Sequence, residues 1–197
     1  TILGRFLGDH RHVCYLFDPY HLWAAVDSRL DMTNLYHHVD PVVLAGESMC
    51  TAEHRARFER LVAAEWSRCG DWARVLLEKT PINALRIGLL RALAPESRFV
   101  HIVRDGVDVA SSIDTLARRN SYRMAGRPTL NQWWGCDHVK WRALARDGAA
   151  AWYWPGEVEQ LQTDLQRGAY EWLVSLEEIA GWRASLGDRL IEITFPE

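Results

Sequence analysis

The chain reads as an α/β domain with a mainly parallel sheet. Short runs of β-branched and aromatic residues alternate with stretches of helical periodicity, the pattern from which such sheets are built. With 197 residues it is long enough for one domain with a real core. Its 48% hydrophobic and 25% charged residues give the balance of a globular protein.

Taken in order, Thr1–Leu7 (TILGRFL) has the look of the middle of a helix, with neither a cap nor a strand before it. The first strand is His12–Phe17 (HVCYLF), followed by Asp18-Pro19. Ala52–Arg68 is a helix with Phe58, Leu61, Val62 and Trp66 on one face. Arg74–Glu78 (RVLLE) is the second strand. Thr80 as N-cap and Pro81 as the first helical residue then open a helix over Pro81–Leu93, with Leu85, Leu89, Leu90 and Leu93 aligned. Arg98–Val103 (RFVHIV) is the third strand, and Asp105 caps the helix after it. Residues 120–156 mix turn formers with aromatics and read as specificity-bearing loops. Gly156–Leu186 is a long helix carrying Val158, Leu161, Leu165, Trp172, Leu176 and Ile179, and Arg189–Thr194 (RLIEIT) is the fourth strand. Both ends look internal to a longer protein, and no linker divides the chain.

The formal net charge of −3 offers no basic field for nucleic acid. No apolar run approaches the roughly 20 residues of a membrane span, and the start turns polar too early for a signal peptide. Cys14, Cys50, Cys69 and Cys136 have no short spacing, which suits reduced, mostly buried thiols and a cytoplasmic location. His10, His12, His37 and His38 lack a third ligand at a diagnostic spacing, so no metal site is expected. Seven of ten tryptophans fall after residue 130. Trp133, Trp134, Trp152 and Trp154 suit either core packing or stacking against an acceptor. Oligomeric state is not legible.

The chemistry gathers at strand ends, where ligands of open α/β sheets collect. In FVHIVRDGVDVASS, Arg104 closes the third strand, and Asp105, Asp108 and Ser112 share a face of the next helix. An arginine fork and a hydroxyl beside exposed helix amides can hold a phosphate; a surface Arg104–Asp108 ion pair is the plain alternative. In LLEKTP, Lys79 stands at the end of the second strand, as a solvated residue or as an electrophile aimed at the site. In YLFDPYHLW, Asp18 follows the first strand, as a turn residue or as a carboxylate facing the same edge.

Together these segments resemble the sulfotransferases that use 3′-phosphoadenosine 5′-phosphosulfate. RFVHIVRDGVDVASS resembles their 3′-phosphate-binding strand and helix. LLEKTP is similar to the Lys-Thr-Pro segment of the tyrosylprotein type, and YLFDPYHLW to the LFEP segment of Golgi-type carbohydrate sulfotransferases. The likeness covers most of residues 1–118 and resumes weakly at Tyr170–Thr194. It implies a P-loop-NTPase-like three-layer α/β/α domain over 1–197. It also implies 3′-phosphoadenosine 5′-phosphosulfate as donor, no metal, and a hydroxylated small-molecule or carbohydrate acceptor. By the same resemblance, Arg104 and Ser112 bind the 3′-phosphate, Lys79 meets the leaving oxygen, and Asp18 replaces the family's glutamate as general base. Thr1 becomes the last residue of the Arg-Ser-Gly-Thr-Thr loop that grips the phosphosulfate; the rest of that loop and its strand are expected before Thr1. Asp18 is one methylene shorter than glutamate, and the closing Ile-Thr-Phe-Pro-Glu departs from the family's Arg-Tyr-Glu-Asp-Leu. A P-loop nucleotide or sugar kinase and a non-catalytic nucleotide-binding module are the alternatives.

Overall fold

A computed structural model describes residues 2–119 and 130–194. In chain order the elements are α1 (Ile2–Gly8), β1 (Val13–Phe17), α2 (Tyr20–Val26), α3 (Ala52–Cys69), β2 (Val75–Lys79), a 3-10 helix over Pro81–Arg86, α4 (Ile87–Leu93), β3 (Phe99–Val103) and α5 (Gly106–Arg119). A small antiparallel hairpin of β4 (Leu130–Asn131) and β5 (Gly135–Cys136) follows, then α6 (Val139–Ala150), α7 (Pro155–Val158), α8 (Asp164–Leu186) and β6 (Leu190–Thr194). The four expected strands are all present within a residue of their anticipated bounds. They pair in parallel, β1 with β2 and β3 with β6.

Local chemistry accounts for the helix limits. Thr51 accepts from the His54 amide in a capping box at the start of α3, and Gly70 at φ +79 ends it. A second capping box, Thr163 with Gln166, starts α8. The long helix expected from Gly156 therefore begins eight residues later, after the separate turn of α7. The helix expected over Pro81–Leu93 is also divided: its first half winds as 3-10 and only Ile87–Leu93 is α-helical. Residues 139–150, read as loop, form α6.

One core cluster joins Met32, Val43, Ile82, Leu85, Ile113, Ala117, Trp134, Trp141, Leu144, Tyr170 and Val174. It brings the helix after β2, the helix after β3 and α8 into one apolar body. Contact between α5 and α8 is close: a Cβ at Gly168 would stand 3.2 Å from the Ala110 Cα, and one at Gly106 would strike the Trp172 ring. A second cluster, Leu22, Trp23, Val26, Leu30, Ala45, Leu89 and Leu93, seats α2 on α4. The irregular segment between α2 and α3 is held by two carboxylates. Buried Asp31 accepts from the amides of Leu35, Tyr36 and His37, and Asp147 of α6 accepts from those of Val43 and Leu44.

The cysteine expectation needs correction. Cys14 of β1 and Cys69 at the end of α3 form a disulfide with Cα atoms 5.7 Å apart, while Cys50 and Cys136 are free. Sequence spacing could not reveal this, because the pairing depends on α3 folding back beside β1. The cytoplasmic expectation, which rested on four reduced thiols, loses that support. No described helix is long and apolar enough to cross a membrane.

The bond closes a loop of 55 residues. Cys69→Ser is therefore expected to cost about 2–4 kcal/mol, read as a lowered melting temperature against the oxidised parent. Equal melting temperatures would show that the bond does not constrain the unfolded chain.

Candidate active site

The parallel pairing of β1 with β2 sets Phe17 opposite Lys79. It runs one residue further, because the Asp18 amide donates to the Lys79 carbonyl at 2.8 Å. Asp18 then takes φ +45, a left-handed conformation that costs energy in a non-glycine residue. The Tyr20 amide closes the turn onto the Asp18 carbonyl at 2.8 Å, and α2 begins. This turn folds the carboxylate back over the neighbouring strand end, where Lys79 Nζ lies 3.1 Å from Asp18 Oδ1. Both side chains are about four-fifths enclosed, at 21% and 23% exposure. Lys79 Nζ also lies 5.1 Å from the centroid of the half-exposed Phe17 ring. Two of the predicted residues thus meet directly.

Arg104 follows the end of β3, and Ser112 lies on α5, the helix that comes next. Asp105 Oδ1 accepts from the amides of Val107 and Asp108, capping α5 as expected. Arg104 Nη2 approaches Asp108 Oδ2 at 3.8 Å, which lays the guanidinium along the face that continues to Ser112 one turn later. The plain alternative for this arginine, a surface ion pair, is therefore present too. With 43% and 68% exposure its strength is small, and an incoming anion could displace it. Ser112 is exposed. The helices that follow Lys79 and Arg104 both pack on α8, which ties the two strand ends to one support. Thr1 lies outside the described residues.

Sequence reasoning missed the polar ring beneath Lys79. Side chains alternate along β2, so Glu78 faces away from Lys79 and inward. Its carboxylate accepts from Trp23 Nε1 at 3.1 Å, from Thr80 Oγ1 and from Asn83 Nδ2. Fully buried Arg86 donates to Asn83 Oδ1 and sits 4.2 Å from the Trp23 ring centroid. Burial pushes its guanidinium down to about 10, opposed by the negative charge of Glu78. The signal available was a single arginine inside the apolar run INALRIGLL.

The tryptophans divide. Trp134 is fully buried and donates to Asp164, and Trp133 donates to Glu171. Trp152 is 83% exposed. Among the described residues no cluster of histidine, cysteine or carboxylates could hold a metal ion.

Residues 1–195 match the sequence model of the sulfotransferase family, whose P-loop-like α/β fold agrees with the parallel strands described above. No curated protein and no solved structure matches the chain.

Proposed function

We propose that this chain, which belongs to the sulfotransferase family, transfers the sulfuryl group of 3′-phosphoadenosine 5′-phosphosulfate to a hydroxyl of a carbohydrate or other small-molecule acceptor. The observation that carries this reading is the Asp18–Lys79 contact at adjoining strand ends, built on a left-handed turn at Asp18. A carboxylate and an ammonium ion at adjoining strand ends can serve the two ends of an in-line transfer once the donor enters and parts the pair. Asp18 takes the proton of the acceptor hydroxyl as its oxygen bonds to sulfur. The bond from sulfur to the bridging phosphate oxygen breaks, its electron pair stays on the nucleotide, and Lys79 meets the charge that develops there. Arg104 and Ser112 hold the 3′-phosphate, by the guanidinium fork and the hydroxyl. Thr1 is assigned to the 5′-phosphosulfate by the resemblance alone.

The same contact sets the order of events. While Lys79 is paired with Asp18 it is not at the leaving oxygen, and the carboxylate is held by a cation. The donor must first draw Lys79 away, which leaves Asp18 for the acceptor.

Asp18→Asn is expected to reduce turnover by about 10²–10⁴-fold in a radiolabelled-donor assay, the usual span for loss of a general base. Calorimetry on the same variant should show the product nucleotide binding roughly twofold to fivefold more tightly, since Lys79 no longer leaves a modest ion pair to reach it. A fully active Asp18→Asn enzyme would remove Asp18 from the chemistry. Arg104→Ala should weaken 3′-phosphoadenosine 5′-phosphate by roughly 1.5–3 kcal/mol, and unchanged affinity would place the 3′-phosphate elsewhere.

A further inference from the structure

Glu78, Trp23, Asn83 and Arg86 form a closed ring that joins three elements on two separate stretches of chain. Trp23 belongs to α2, the helix that starts two residues after Asp18. Glu78 precedes Lys79 on β2, and Asn83 and Arg86 belong to the 3-10 helix that follows it. Going round, Glu78 accepts from Trp23 and from Asn83, Asn83 accepts from Arg86 Nε and Nη2 at 2.9 and 2.7 Å, and the Arg86 guanidinium covers the Trp23 ring. Thr80 adds its hydroxyl to the same carboxylate.

Stability alone is a poor reason for such a ring. Arg86 Nη1 is buried with no hydrogen-bond partner among the described residues. Well-packed apolar side chains of similar volume usually hold a core as well as a buried ion pair does. What the ring supplies is a fixed relation between α2 and the end of β2. Asp18 sits at the joint between them: its amide is tied to the Lys79 carbonyl, and α2 follows after Pro19. Any swing of α2 against β2 would be taken up in the left-handed turn and would carry the carboxylate away from Lys79.

We propose that Glu78 is a positioning residue for sulfuryl transfer, gripping Trp23 on one side and Thr80 and Asn83 on the other so that Asp18 keeps its place beside the end of β2, facing the acceptor. The proposal rests on the assignment of Asp18 as general base. It adds no group that touches the reacting atoms.

The test is a double-mutant cycle between Trp23→Phe and Asp18→Asn. Trp23→Phe removes the indole donor to Glu78 but keeps an aromatic ring beneath Arg86 and beside Phe58, which now stacks at 5.8 Å. Its kcat should fall by about ten- to a hundredfold, as small misplacements of a catalytic group do. Its Kd for 3′-phosphoadenosine 5′-phosphate should not change, because Arg104 and Ser112 are untouched. In the Asp18→Asn background the same substitution should cost nothing further, since there is no longer a base to misplace. Glu78→Gln, which puts an NH2 donor where Oε2 accepts from Asn83 Nδ2 and so opens the ring, should give the same pattern and serves where Trp23→Phe does not fold. An equal loss in both backgrounds, or an unaltered kcat in the folded single variant, overturns the positioning role while leaving the base assignment intact. Full turnover by Asp18→Asn alone overturns both.

Discussion

The register of one parallel strand pair governs the candidate site. With Phe17 opposite Lys79 and the Asp18 amide bonded to the Lys79 carbonyl, the last residues of β1 and β2 are locked side by side. Alternation then sends Lys79 to the Asp18 side and Glu78 into the interior. Slippage by one residue would exchange these faces, setting a second carboxylate beside Asp18 and a lysine among Trp23, Asn83 and Arg86. Charge of both signs on alternate residues makes that alternative costly, so the pattern that specifies the site also protects its register.

Buried charge recurs at the helices that support the two strand ends. Arg86 lies under β2 with Glu78 as its counter-charge, and Lys140 of α6 pairs with Glu171 of α8 at 2.8 Å beneath the Trp133 ring. Burial lowers the Lys140 ammonium below its ordinary range, with Glu171 acting in the opposite direction. Removing one member of such a pair leaves an uncompensated ion, whereas the intact pair holds its two elements in one arrangement. Helix α8 therefore does more than cover the core. It receives the helix after Lys79, the helix after Arg104 and the ammonium of α6 on one rod, so a donor spanning the two strand ends would meet a rigid base.

Much of this was legible in the sequence. The four strands were marked by β-branched runs with turn residues on either side, and Asp105 was readable as an N-cap by its place after Arg104. Local signals failed where the structure depends on distant partners. Nothing near Cys14 announces Cys69, and nothing in EKTPINALR says that Glu78 and Arg86 close a ring through Trp23, 55 residues before Glu78. The divided helix after β2 was missed because leucine periodicity cannot separate a 3-10 turn from an α-helical one. Strain was likewise hidden: the shorter reach of Asp18 was visible, but the left-handed turn that aims it was not.

The central claim is that one nucleotide is held at once by the end of β3 and the end of β2. A crystal structure of the protein with 3′-phosphoadenosine 5′-phosphate tests it most directly. The account predicts the 3′-phosphate on Arg104 and Ser112, and Lys79 turned from Asp18 onto the 5′-phosphate. A nucleotide bound elsewhere, or bound with the Asp18–Lys79 pair still closed, would contradict it.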